Sequence, residues 1–307
     1  MSLVSLVRGR RGVSGYGYAS TAEDVTRGLN LRGQNILITG VGSGLGAETA
    51  RVLQLRGATI YGAARTLEKA GDACRRLGAS AVPVACDLSE PASVRACAAD
   101  IHARGIKLDV IVCNAGVMAL PQRELRYGQE LQFLTNHIGH FGLVTELLDV
   151  LRERGRMVVL SSAAHQHTLR GGIQFDDLTL EHNYTPWLAY GQSKLANLLF
   201  ARALAGRLNG TQRTANAVHP GVVTTQLTRH MGSLAQTAAA LARGVFFKSV
   251  DEGAATQCYV AAHPAASGIS GEYFVNCNVA RPSRYGRDSA LAERLWDVSE
   301  RIWNGLH

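Results

Sequence analysis

Short apolar runs recur along the chain from residue 34. They lie at NILIT (35–39), ATIYGA (58–63), AVPVAC (81–86), LDVIVC (108–113), RMVVLS (156–161) and TANAVH (214–219), with a seventh at EYFVN (272–276). Segments of helical length separate them, at 44–56, 66–77, 90–104, 124–152, 187–209 and 249–262. The runs are continuously apolar rather than alternating, which is the pattern of strands buried on both faces. Strands that alternate with helices predict βαβ units and a parallel sheet covered on both sides. The fold class read from this is α/β, a doubly wound parallel sheet in a single domain over 31–307. Residues 1–30 read as a flexible N-terminal extension. Residues 222–248 are rich in Thr, Gly, Ala and Leu and break the alternation, as a substrate lid would.

Composition adds little to this picture but excludes several function classes. With 46% apolar and 18% charged residues over 307 positions, the chain is an ordinary globular protein able to bury a large core. A net charge of +8 suits an anionic ligand, yet no basic run reaches five residues, so a nucleic-acid partner is not expected. The six cysteines show no CxxC spacing and read as buried free thiols in a reducing compartment, with no metal site. No apolar run is long enough to span a bilayer. Arg8, Arg10 and Arg11 precede the first acid, Glu23. The expected location is cytoplasmic, with organellar targeting or a weak membrane-surface contact by this basic stretch as alternatives.

The first strand runs directly into four glycines and then a helix. Gly42, Gly44 and Ala47 satisfy G-x-G-x-x-A, and Thr39, Gly40, Gly44 and Gly46 satisfy T-G-x-x-x-G-x-G. Glycine lets a pyrophosphate approach the unpaired N–H groups and positive dipole of a helix start. At the first strand-to-helix junction this predicts a Rossmann-type dinucleotide site, with Thr39, Gly40, Gly42, Ser43, Gly44, Leu45 and Gly46 around the phosphates. The second strand ends Ala63-Ala64-Arg65, with no acid before Glu68. An acid there would hold the ribose hydroxyls of NAD, whereas an arginine accepts the 2′-phosphate of NADP. NADP(H) is therefore the preferred cofactor and NAD(H) the alternative.

Tyr190 and Lys194 stand four apart at the start of a predicted helix, hence on one face. A free phenol titrates near 10, and a neighbouring ammonium is expected to lower that value. Such a tyrosine can give a proton to a carbonyl oxygen or take one from an alcohol.

TGVGSGLG (39–46), NAG (114–116), Asn136 in TNHIGHFGLV, VVLSS (158–162), YGQSK (190–194) and HPG (219–221) together resemble the short-chain dehydrogenase/reductase family in order and spacing. The resemblance covers 31 to about 275. It is nearest to the retinol-dehydrogenase and WW-domain-oxidoreductase-like branch, and STAEDVTRGLN is similar to the lead-in of plant members. The resemblance implies Tyr190 as general acid/base and Lys194 as its partner and ribose ligand. It implies Ser162, in preference to Ser161, as the donor to the substrate oxygen, and Asn136 as the group tying the lysine to solvent through a water. Asp87 and Leu88 would lie near the adenine and Asn114, Ala115 and Gly116 beside the adenosine half. Pro220, Gly221, Val223 and Thr225 would border the nicotinamide, with Thr224 as a rival to Thr225.

The implied function is NADP(H)-dependent interconversion of an alcohol and a carbonyl on a mostly apolar small molecule. An NADP(H)-binding regulatory or redox-sensing protein with little turnover is the alternative. A sugar-nucleotide epimerase is disfavoured by the glycine spacing. His165 and His167 read as a polar loop, and His137 and His140 as helix surface or satisfied packing groups. Trp187 reads as pocket wall or core anchor. Phe246 and Phe247, in ALARGVFFKSV, read as core, lid or membrane contact. The C-terminal ALAERLWDVSERIW reads as an amphipathic helix packed on the domain, open to a homodimer contact.

Overall fold

The computed structural model describes residues 9–223 and 247–306. The strands are β1 (Asn35–Thr39), β2 (Thr59–Ala64), β3 (Ala81–Ala85), β4 (Leu108–Cys113), β5 (Leu125–Arg126), β6 (Gln129–Glu130), β7 (Leu151–Leu160), β8 (Thr214–His219), β9 (Tyr273–Val275) and β10 (Asn278–Ala280). Eight of them form one sheet in the order β3-β2-β1-β4-β7-β8-β9-β10, and β5 pairs with β6 apart from it. Every pairing in the sheet is parallel except β9 with β10. The chain reverses its direction of strand addition between β1 and β4, and in such sheets the ligand crevice opens at the carboxyl ends of the strands beside that point.

The helices are α1 (Ala22–Val25), α2 (Gly44–Leu55), α3 (Leu67–Leu77), α4 (Pro91–Ala103), α5 (Gly139–Leu147), α6 (Pro186–Arg207), α7 (Val250–Ala262) and α8 (Ser289–Gly305). Their starts follow local chemistry. Thr66, Thr185 and Asp288 each accept an amide of the first turn, and Ser249 with Glu252 forms a capping box. Neighbouring strand residues supply opposite cores. Leu37, Ile111 and Val159 join Ile101, Phe141, Phe200 and Trp296 on one side, and Ile36, Val112 and Val158 join Val52, Leu53 and Tyr259 on the other. These largely apolar strands make the sheet readable.

The expected helix over 124–152 is corrected. Its first part is the β5–β6 hairpin, turned by Tyr127 and Gly128 at φ 51° and 71°. A short turn, Leu131–Phe133, then leads into a wider one, Leu134–Ile138, in which the amide of Gly139 bonds the carbonyl of Leu134. Its last residues begin β7, whose exposed Arg152, Glu153 and Arg154 hide the strand from a hydrophobicity reading.

From residue 9 onward the expected extension is packed on the domain. Asn278 accepts the amide of Ser14 and donates to the carbonyl of Tyr16, whose ring meets Tyr259 edge-on at 5.8 Å. Lys248 lies with its ammonium 4.9 Å from the Tyr18 ring. Of the stretch 222–248, residues 224–246 lie outside the described residues, and with them Thr224, Thr225 and Phe246. The C-terminal helix α8 buries Trp296 and Trp303 against the domain. All six cysteines are buried and unpaired. No helix among the described residues is long and apolar enough to cross a membrane.

Candidate active site

The expected site residues that the structure describes gather at the carboxyl ends of the strands. Thr39 ends β1 and leads into the glycine turn; Arg65 follows β2 and Asp87 follows β3. Asn114, Ala115 and Gly116 follow β4, Ser161 and Ser162 follow β7, and Pro220 and Gly221 follow β8.

The glycine turn fits a phosphate-bearing cofactor on its own geometry. Helix α2 begins after Ser43, which makes no side-chain cap, so no side chain takes the first amides of the helix. Chain neighbours aside, a Cβ on Gly42 would meet no atom of the described residues within 4 Å, so its side of the turn is open among them. A Cβ on Gly46 would lie 2.5 Å from Asn114 Nδ2 and closer still to the carbonyl oxygen of Gly40, so only glycine lets the helix start press on the turn. Asn114 braces this region by donating from Nδ2 to the Thr39 carbonyl at 2.8 Å. Leu45 and Val223 both press on Gly253 of α7. The Leu88 carbonyl lies against Gly139, and Asp87 accepts both the amide and the hydroxyl of Ser89. Arg65 is exposed at the end of β2.

On α6, Lys194 and the flanking residues form a dense network. The Lys194 ammonium donates to the Leu160 carbonyl at 3.0 Å and lies 5.6 Å from the centre of the Tyr190 ring. Asn136 accepts the amide of Val117 at 2.8 Å through Oδ1 and donates from Nδ2 to Ser193 Oγ at 2.9 Å. Ser193 in turn donates to the carbonyl of Tyr190. The two serines part company: Ser161 is buried and donates to the Lys194 carbonyl at 2.7 Å, while the Ser162 hydroxyl stands beside the phenol of Tyr190.

The expected acidic phenol is corrected. Burial pushes Tyr190 up to about 12, with the Ser162 hydroxyl pulling the other way. Burial also brings Lys194 down to about 8. Withdrawal from water dominates both shifts, because desolvation penalises the charged form of each group. The site holds a neutral phenol ready to donate, beside an amine that is charged below about pH 8.

A cavity of about 500 Å³ adjoining Trp187 is lined by His167, Leu169, Asn183, Tyr184, Thr185, Trp187 and Leu188. Trp187 is 51% exposed and meets the Tyr190 ring edge-on at 6.1 Å, so it is pocket wall rather than core anchor. His165 is buried; it donates from Nδ1 to the Ser162 carbonyl and accepts the Ser283 amide at Nε2. His137 and His140 are fully buried, not helix surface.

Two residues near the site escape a reading of the sequence. Arg76 on α3 donates to the Gly42 carbonyl at 3.1 Å, adding a second guanidinium at the glycine turn. Gln257 on α7 donates to the Leu45 carbonyl and to Thr49 Oγ1, fixing the first turn of α2 from the far side. Neither carries a motif, since each is brought to the site only by tertiary packing. His140, within TNHIGHFGLV, reaches Thr39.

The chain is similar to several known proteins. A family model described as enoyl-(acyl carrier protein) reductase matches residues 40–277. The short-chain dehydrogenase TIC 32 B, chloroplastic, of Brassica napus is 42% identical over 320 residues, covering 100% of both chains. Retinol dehydrogenase 12 of Mus musculus is 42% identical over 281 residues, covering 89% of this chain and 87% of that one. Among solved structures, an uncharacterized protein of Mycobacterium Paratuberculosis shares 34% identity with a TM-score of 0.76, covering 93% of this chain and 97% of its own. A blue fluorescent protein from a metagenomic library, solved in complex with NADPH, shares 25% identity with a TM-score of 0.64, covering 80% and 96%.

Proposed function

Since the chain belongs to the short-chain dehydrogenase/reductase family, whose members are oxidoreductases that bind a nicotinamide cofactor, we propose that it interconverts an alcohol and a carbonyl on a mostly apolar small molecule with NADP(H). The observation that carries this reading is the meeting of Ser162, Tyr190 and Lys194 at the carboxyl edge of the sheet, beside a glycine turn shaped for phosphate. A redox sensor with little turnover would share the turn but has no use for those three side chains.

The bound nicotinamide supplies or accepts the hydride at the substrate carbon. The chain does the rest. Ser162 and Tyr190 place two hydroxyl donors where negative charge develops on the substrate oxygen. Tyr190, neutral as it stands, gives its proton to that oxygen in reduction and must receive one in oxidation. Lys194 supplies the positive charge that makes loss of the phenol proton tolerable, and Asn136 links it to solvent through a water. Residues 39–46 seat the pyrophosphate, with Asp87, Leu88 and 114–116 along the adenosine half and Pro220, Gly221, Val223 and Thr225 along the nicotinamide. Residues 31–307 act as one dinucleotide-binding domain. The pocket beside Trp187 favours an apolar substrate. The basic N-terminal residues and the chloroplastic relative support an organellar setting, which a fluorescent fusion with and without residues 1–20 would test.

Arg65 is the group proposed to select the 2′-phosphate. Charge-assisted hydrogen bonds are worth about 1.5–3 kcal/mol, so Arg65→Ala should weaken NADPH about 10- to 100-fold and leave NADH nearly unchanged. Following cofactor absorbance over a panel of apolar aldehydes, ketones and alcohols, with NADPH and NADH in parallel, tests both claims. Equal use of the two cofactors by wild type would remove the NADP assignment. Tight NADPH binding with no turnover on any member would favour the sensor.

A further inference from the structure

His140 is fully buried in the first turn of α5 and has no place in the chemistry described above. Its ring joins two parts of the site. Nδ1 lies 2.9 Å from the backbone oxygen of Asn136, and Nε2 lies 2.9 Å from Thr39 Oγ1. The sense of both bonds follows from the donors around Thr39. That hydroxyl accepts the amides of Asn114 and Ala115, each at 3.0 Å. Its own hydrogen must go outward, and Nε2 is the nearer acceptor; the Val112 carbonyl stands at 3.4 Å. Nε2 therefore accepts, and Nδ1 carries the proton that the Asn136 carbonyl receives.

We propose that His140 is a positioning residue of this site: a neutral imidazole, protonated on Nδ1, that ties the Asn136 backbone to the Thr39 hydroxyl and so couples the cofactor turn to the Lys194 network through one ring. The inference rests on the dehydrogenase reading given above. Its geometry explains why the wide turn Leu134–Ile138 keeps its shape. That turn departs from α-helical bonding, and wide turns of this kind favour functional sites. A side chain one turn on takes one of its carbonyls and anchors it to β1. Asn136 is then held with its amide in reach of Val117 and Ser193, in register with Lys194.

The surroundings keep the ring neutral. A second proton, on Nε2, would face a hydroxyl that already accepts two amides. The charged group set against the ring is the Lys194 ammonium from α6, and His137 on its own turn is the other titratable neighbour. Burial first, and then Lys194, hold His140 down to about 4, against the opposing bond to Asn136.

Two side chains can each mimic half of the ring. The amide nitrogen of asparagine falls near the Nδ1 position, and the longer glutamine reaches toward that of Nε2. His140→Asn should keep kcat within about threefold while weakening NADPH binding. His140→Gln should hold NADPH within about threefold and lose tenfold or more in kcat. His140→Leu should lose both. Because such a variant can fail to fold, the tautomer is read directly in the wild-type protein by ¹⁵N and ¹³C NMR of labelled histidine. The expected signal is an Nδ1-protonated neutral ring that does not titrate from pH 8 down to 5. A ring protonated on Nε2, or one titrating near 6.5, overturns the proposal, as do three variants with the same loss in kcat and binding. If wild type turns over no carbonyl or alcohol, the dehydrogenase reading fails, while the tautomer and the NADPH titrations still judge His140. If Tyr190→Phe abolishes turnover and His140→Leu does not alter it, the reading stands and this inference falls.

Discussion

Tyr190→Phe should lower kcat about 1000-fold while NADPH binds within threefold of wild type. A positioned general acid contributes roughly 10²- to 10⁴-fold, and about three orders of magnitude correspond to about 4 kcal/mol of barrier. Phenylalanine keeps the ring that packs against Trp187 and loses only the hydroxyl beside Ser162. The pH profiles of wild type should carry the same signature. Reduction needs the protonated phenol, which is present at any pH below about 12, so its upper limit is set by loss of the Lys194 charge above about 8. Oxidation needs the phenolate beside a charged Lys194, so it should rise with pH up to about 8 and then level off. Steady-state rates in both directions, with NADPH binding followed by fluorescence, check this. Turnover of the phenylalanine variant within a few-fold of wild type would remove Tyr190 from the chemistry.

The second large effect is expected at the glycine turn, where two neighbouring substitutions should act differently. Gly46→Ala drives a methyl group against the Gly40 carbonyl and Asn114. Overpacking of this kind costs about 1–3 kcal/mol, a fall of roughly 2–6 °C in Tm for a chain of this size, and should weaken NADPH more than tenfold by opening the turn. Chain neighbours aside, Gly42→Ala adds a methyl that meets no atom of the described residues within 4 Å. It should leave Tm unchanged yet weaken NADPH by a similar factor, because the methyl projects where the phosphates sit. Thermal melts and NADPH titrations separate the two. If both variants bind NADPH as wild type does, the phosphates rest elsewhere.

The sheet was legible because its strands are buried on both faces. Their residues are mostly apolar on both faces, and the observed bounds of β1, β4 and β8 coincide with those read from the chain. Legibility failed where burial and polarity part company. Arg152, Glu153 and Arg154 are exposed near the start of β7, so the strand reads as beginning only at Arg156. The hairpin turned by Tyr127 and Gly128 has strands of two residues each, too short to show as a run in the sequence. For His137 and His140 the sequence left helix surface and packing both open; both are interior, since their turn is enclosed by β1, α6 and α8.

The candidate site was readable as a list of residue types at strand ends, since the glycine spacing and the Tyr190–Lys194 step are local. Its energetics were not. Spacing places an ammonium near a phenol but does not say how far both are withdrawn from water, and that withdrawal decides the phenol's state in this structure. Arg76 and Gln257 reach the turn from α3 and α7 through packing that no short pattern encodes.

The most direct test is isotopic. NADPH carrying deuterium at C4 is incubated with the enzyme and the best carbonyl from the panel, and the alcohol is examined by mass spectrometry. The account predicts one deuterium on the carbinol carbon, formed by wild type and nearly absent with Tyr190→Phe. An alcohol formed without deuterium, or bound NADPH that reduces no apolar carbonyl, would contradict it.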